Sequence, residues 1–519
     1  MSPTFFRPLS RAVTRPISIL VLMAWIATMA VLVQRSYVEA SPGTLATDLA
    51  RYGPTATWRG VYYRGEKIGF TVSQTTRIDG GFELQEDGRL QMLLLGQDTA
   101  ATIRTTARVD AEFMLRDFEF SLDPGTGPVI VKGRLDRTAN TSHPYRLTLA
   151  ITSGGATRSE THDLSDAPVL SLNLSRILAS RRLVPGTRYQ WNVLDPATLQ
   201  NAPMTVRVGE RSVVRASDTS VPAFRVESEF QGLRTISWVT DTGDIVREES
   251  PLGLMTVLES PERARGMAIP ERMQGDLLRT SAIVPTMRGR IDEPRDVRRL
   301  RVQFEGATLP QGDLNGAGQT ASGDVVEIVD SRVRQSEPVD KDAGAYVAAE
   351  PLIESDAPEI RAEAEKAVRG VDTDRLRAER LTRYVNGLLD KKPTVSLPSA
   401  REVLRTKVGD CNEHTALYVA MARSIGLPSR IAVGLVYMHG AFYYHAWPEV
   451  YIAEGRRGLW MPVDPTLNQF PADATHLRLA RGGLDRQAAV LPLIGRLKMK
   501  VLDVELVPGS NPIIVGRNQ

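Results

Sequence analysis

Three short motifs near the C-terminal end carry residue types that can do covalent chemistry. Cys411, the one cysteine of this 519-residue chain, sits in Gly409-Asp410-Cys411-Asn412-Glu413-His414. His445 follows in Tyr444-His445-Ala446-Trp447-Pro448-Glu449-Val450-Tyr451, and Asp464 in Trp460-Met461-Pro462-Val463-Asp464-Pro465-Thr466. A thiol, an imidazole and a carboxylate in this order form the set needed for a nucleophile, its base and the group that orients the base. The chemistry they suggest is acyl transfer through a thioester.

Each of these residues needs an element to hold it. Asn412 to Ile425 reads as a helix, with Leu417, Ala420, Met421 and Ile425 on one face. Asp410 is its candidate N-cap, and Gly426 and Pro428 its stop. Cys411 then lies in the first turn, where backbone N–H groups and the helix dipole favour a thiolate and can donate to an oxyanion. Ile431 to Tyr437 and Phe442 to Tyr451 read as strands joined at Met438-His439-Gly440. The second strand carries Tyr443, His445, Trp447, Glu449 and Tyr451 on one face. Trp460 to Val463 predicts the neighbouring strand, which would set Asp464 beside His445, with Pro465 keeping the backbone extended. Trp447 and Trp460 read either as shields for a thiol–imidazole pair or as plain core aromatics. Upstream, Ala357-Pro358, Leu376 to Leu389 and the capping box Ser399-Ala400-Arg401-Glu402 predict helices.

With these motifs in this order, residues from about Ile353 to Thr466 resemble the transglutaminase-like core of the papain-like cysteine enzymes. The strand expected over Lys498 to Val507 is a further candidate member. The resemblance implies a papain-like α+β domain with Cys411 as nucleophile, His445 as base and later acid, and Asp464 as orienting group. It implies attack on a carboxamide or peptide carbonyl of a protein, peptide or cell-wall peptide, followed by hydrolysis or by crosslinking to an amine. No acidic loop of calcium-binding spacing is visible, so no cofactor is expected. A catalytically silent envelope scaffold using the same fold is the alternative. A metal site built from His414, His439, His445 and His476 is a weaker third reading, because no His-Glu-x-x-His or paired-cysteine spacing supports it.

The rest of the chain sets the context. Arg7, Arg11 and Arg15 precede an apolar run from Ile17 to Val33, about 25 Å long as a helix. Residues 1–16 therefore read as a cytoplasmic basic tail and 17–34 as a single transmembrane anchor in the inner membrane. The bulk of the chain would then lie in the periplasm or outside the cell. Cleavage after Val38-Glu39-Ala40, giving a secreted protein, is the competing expectation. Residues 50–260 alternate with period two and predict a mainly antiparallel β domain, which offers a surface for an envelope partner. Within it, Leu170 to Leu183 predicts a helical insertion and Asp241-Thr242-Gly243-Asp244 a hairpin turn. Residues 261–345 read as a connecting β region and linker. It contains an amphipathic segment at Met273 to Leu278, strands at Val297 to Phe304 and Val325 to Val333, a mobile loop at Gly306 to Gly323 and a linker at Ser336 to Gly344. Residues 346–480 form the expected catalytic domain and 481–519 a C-terminal strand extension. The expected class is thus α+β. With 64 basic against 61 acidic side chains, the net charge of +3 indicates no nucleic-acid partner. His143 and His162 read as surface or turn histidines.

Overall fold

The computed structural model describes residues 52–94, 97–217, 219–266, 281–482 and 490–508. The expected anchor at 17–34 and the segment Met273 to Leu278 lie outside them. No helix among the described residues is long and apolar enough to cross a membrane. The chain divides into units Met1–Thr55 and Ala56–Gln519, and the strands and helices from Thr57 to Leu506 all belong to the second.

The fold is mainly antiparallel β, with most helices gathered in the C-terminal core. Fourteen strands between Thr57 and Glu259 form one sheet. The chain runs as two meanders, Thr57 to Leu164 and Arg188 to Glu259, each strand pairing with its successor. The meanders join where the first strand, Thr57–Tyr63, pairs antiparallel with the last, Leu254–Glu259. Alternating burial, as in Tyr145–Ser153, gives this sheet one packed face. The expected hairpin turns between Leu233–Val239 and Ile245–Glu249. The expected insertion is the helix Ser171–Ser180, which buries Ile177 and Leu178 among strand residues such as Val193, Val206 and Val226. Asn173 closes its first turn: its Oδ1 accepts the Leu170 N–H at 2.8 Å.

In the C-terminal core, four helices pack around a five-stranded sheet. The helices are Pro358–Ala367, Asp374–Leu388, Ala400–Thr406 and Cys411–Ser424. The sheet order is Glu337–Pro338, Arg457–Pro462, Ala441–Glu454, Ser429–Met438 and Leu477–Gly482. The Cys411 helix is buried along nearly its whole length, because it lies between the sheet and the other three helices. Lys498–Leu506 does not join this sheet. It pairs with Val297–Glu305 in a separate four-stranded sheet.

Two segments expected to be loose are not. Ser336 to Gly344 contains the edge strand of the core sheet, and Asp340 holds Trp460 Nε1 at 2.8 Å. Gly306 to Gly323 contains the strand Gln319–Ser322 and is tied down by Arg478, whose guanidinium donates to the carbonyls of Asp313 and Gly316. Gln319 answers by donating to the Arg478 carbonyl at 2.8 Å. Polar, glycine-rich composition signalled a loop, but partners more than 150 positions away order it.

The β half and the core meet along a polar seam. The hydroxyls of Ser153 and Ser399 and the carboxylate of Glu354 form a buried triangle with separations of 2.6 to 3.0 Å. Leu352 and Leu397 pack beside it against the β-half core.

Candidate functional site

The Cys411 helix begins as its sequence requires. Asp410 caps it by accepting the Asn412 N–H at 3.0 Å, and Glu413 reaches back to accept the Asp410 N–H at 2.8 Å. Glu413 also takes hydroxyl bonds from Thr394, at 2.8 Å, and Ser396. Gly409 leaves room for this return, since a Cβ there would lie 2.2 Å from Glu413 Cβ. Cys411 is thereby fixed as the first helical residue, half-buried in the wall of a cleft.

His445 comes from the neighbouring strand, opposite Gly434, and lines the same cleft. Its Nε2 lies 2.8 Å from Asp464 Oδ2. Asp464 follows the strand Arg457–Pro462 and is held on every side: its Oδ1 accepts the Leu467 N–H at 2.9 Å, and its backbone pairs with Gln469. Asn386 braces the turn beyond it by donating to the carbonyls of Pro465 and Thr466. The structure therefore brings Cys411 and the bonded pair His445–Asp464 to one place.

A fourth residue joins them. His476 Nε2 also approaches Asp464 Oδ2, at 3.0 Å, and its Nδ1 faces Asp473. In the sequence, His476 and Asp473 signal only an Asp–His pair three positions apart, and His476 stands there as a metal-ligand candidate. His445, Asp464 and His476 do cluster closely enough to consider an ion. The N–O separations of 2.8 and 3.0 Å are hydrogen-bond distances. A tetrahedral site with bonds of about 2.1 Å spaces its ligands ~3.4 Å apart. The geometry is that of two histidines sharing one carboxylate. Neither His414, which bonds the Asp410 carbonyl at 2.7 Å, nor His439, in its left-handed turn, belongs to the cluster.

The two tryptophans part company. Trp447 is buried against both histidines, its ring centroid 6.2 Å from His445 and 5.2 Å from His476. Trp460 lies elsewhere, under the Arg430 guanidinium at 3.7 Å, and shields nothing at the site.

Electrostatics differ from the expectation of a ready thiolate. Burial pushes the Cys411 thiol well up, the charge of Asp410 adds to this, and the Ala446 N–H pulls the other way. Asp410 is itself raised, first by burial and then by Glu413, which weakens its charge against the thiol. Asp464 is held far below the usual carboxylate range: burial opposes this, and the charges and hydrogen bonds of His445 and His476 overcome it.

The cleft has a volume of about 1270 Å³. Its lining combines Cys411, Tyr443, Tyr444 and His445 of the core with residues of the β half, including His162 and Leu199. His162, read from sequence as a surface histidine, is exposed and lines this opening.

Residues 361–465 match the model of the transglutaminase-like superfamily core. No curated protein matches the chain. Among solved structures, the chain is similar to a candidate cysteine protease from Cytophaga hutchinsonii, at 15% identity over 40% of this chain and 90% of that one, with a TM-score of 0.28. It is similar to a β-barrel-like protein of the domain of unknown function DUF1849 from Brucella abortus, at 14% identity over 39% and 96%, with a TM-score of 0.30. It is also similar to the periplasmic domain of TgpA from Pseudomonas aeruginosa, bound to ethylmercury, at 16% identity over 34% and 92%, with a TM-score of 0.22.

Proposed function

We propose that this chain, which carries a transglutaminase-like superfamily core at residues 361–465, is a cysteine acyl-transfer enzyme acting on a peptide or carboxamide. The observation that carries the reading is the convergence, in one cleft, of a helix-start thiol and a histidine bonded to a buried carboxylate. With Nε2 committed to Asp464, Nδ1 of His445 is the nitrogen left to take the thiol proton. The sulfur then adds to the substrate carbonyl carbon. The Asn412 N–H is taken by the Asp410 cap, so the Cys411 N–H is the helix donor assigned to the oxyanion. His445 returns its proton to the departing amine, leaving a thioester. Water or a second amine then resolves it.

A raised resting thiol favours one further reading, a silent envelope scaffold. The deciding experiment is alkylation of the full-length protein against pH, with His445→Ala beside it, followed by assay of glutamine-containing and wall peptides for hydrolysis and for amine incorporation. Fast labelling of the wild type, slowed in the variant, with turnover lost in Cys411→Ala, supports the enzyme. Equal, ordinary thiol reactivity in both proteins and no turnover supports the scaffold.

The anchor at 17–34, the placement of the bulk in the periplasm or outside the cell and a partner for the β half belong to the same proposal. Protease accessibility of the full chain in intact and permeabilised cells tests the orientation.

A further inference from the structure

We propose that His476 is a positioning residue: an imidazolium clamped between Asp464 and Asp473, which fixes Asp464 and moderates its pull on His445. This rests on the reading of His445 as the base.

Donors and acceptors around the ring decide its protonation. His476 is 4% exposed. Its Nε2 lies 3.0 Å from Asp464 Oδ2, and its Nδ1 lies 3.2 Å from the Asp473 carbonyl and 3.3 Å from Asp473 Oδ1. All three partners are acceptors. A neutral imidazole has a lone pair on one nitrogen, and either tautomer would aim it at an oxygen lone pair. Only the doubly protonated ring satisfies both sides. Burial alone would depress this ring's pKa, but the hydrogen bonds to Asp464 and Asp473 lift it to about 9.

The other charged groups nearby leave this balance intact. The His445 ring centroid is 6.0 Å away, and both rings reach the same Asp464 oxygen. Behind His476, a small cavity is also lined by Asp330, Glu449 and Arg478. Asp330 is paired with Arg298 and Arg332, and Glu449 with Arg430 and Arg478. Arg295 faces Asp473 from the connecting region.

The consequence concerns the base. An isolated Asp464 carboxylate would stabilise a charged His445 strongly and hold the site as a thiolate–imidazolium pair. Shared with a second cation, it orients His445 through Nε2 while exerting less pull.

The test has a part that needs no turnover. The chain has six histidines, so selective ¹⁵N-histidine labelling of the full-length protein gives a countable set of ring signals. His476, assigned by its loss in His476→Gln, is expected to show both nitrogens protonated at pH 7.5. A single protonated nitrogen there overturns the proposal, whatever the protein catalyses. The second part is the pH dependence of Cys411 alkylation. Removing a nearby positive charge favours the protonated state of the Cys411–His445 dyad, whichever group yields the proton. His476→Gln is therefore expected to move the acid limb up by about one pH unit. Uniform slowing with an unmoved limb would mean a merely structural histidine and sink the idea. Should His476→Gln not fold, Asp473→Asn, which removes one of the two carboxylates holding the ring's charge, is expected to lower the pH at which His476 loses its second ring proton, and an unmoved ring titration there counts equally against the proposal.

Discussion

Asp464 is fully buried and accepts from two rings and a backbone amide, so no other acceptor can replace it. Asp464→Asn turns one oxygen into a donor facing a ring nitrogen. Turnover should fall by roughly 10⁴, the scale seen when a base loses its correct tautomer. Stability should fall by about 3–5 kcal/mol, because a buried cation loses its partner. Kinetics and a thermal melt check the two effects separately, and loss of activity without loss of stability would argue against a charged His476. The pH dependence of that charge has a definite sign. A histidine lifted to about 9 in the folded state contributes stability fully below its ordinary value of about 6.5. That contribution drains away as pH rises through 9. The lowered Asp464 and Asp473 contribute above about pH 4 and lose it as pH falls. The melting difference between wild type and His476→Gln should be largest between about pH 4.5 and 6.5 and shrink towards pH 9. A difference that grows over that upper range contradicts the assignment. At this scale, Cys411, His445 and Asp464 were legible because each stands in a dense local motif. His476 and Asp473 were not, because what matters is the direction of their ring and carboxyl atoms, and spacing does not encode that.

At the scale of elements, the start of the Cys411 helix sets the thiol's surroundings. Glu413 serves as the return half of the cap, as acceptor for Thr394 and Ser396, and as negative charge near the sulfur. Glu413→Gln keeps the shape and removes the charge. It should cost about 1 kcal/mol, the usual worth of a cap, and move the alkylation midpoint of Cys411 to lower pH. An unmoved midpoint would leave burial and the charge of Asp410 as the causes of the raised thiol. Glu413→Ala strands the Asp410 N–H and two hydroxyls and should cost about 1–3 kcal/mol in a denaturant melt. This helix and the strands Ser429–Met438 and Ala441–Glu454 were legible in the sequence, because capping residues and apolar period are local signals. Glu337–Pro338 and the order of Gly306 to Gly323 were not legible. There the order comes from Arg457 and Arg478, residues with no local trace in the segment they hold.

At the scale of the molecule, the period-two pattern foretold a β half, but nothing in it foretold that this half would wall the cleft. The contact is made where the turn at Gly154 meets the start of the helix Ala400–Thr406. A Cβ on Gly154 would lie 2.9 Å from Arg401 Cβ and 3.0 Å from the Glu402 nitrogen. At the adjacent Gly155 it would meet nothing within 4 Å. Both glycines have positive φ, 53° and 78°, so a side chain at either one carries backbone strain. Only Gly154→Val also wedges the seam and disturbs the buried triangle of Ser153, Ser399 and Glu354. The comparison of Gly154→Val with Gly155→Val therefore isolates docking from turn strain. Gly154→Val should melt at lower temperature than Gly155→Val. Its Cys411 should keep its rate with a small alkylating reagent, which needs only the thiol and His445. Its preference among peptide-bearing alkylating reagents should collapse, because the part of the lining that carries His162 and Leu199 is displaced from the thiol. If the two variants discriminate peptides as the wild type does, the β half is a neighbour of the cleft and takes no part in selecting what enters it.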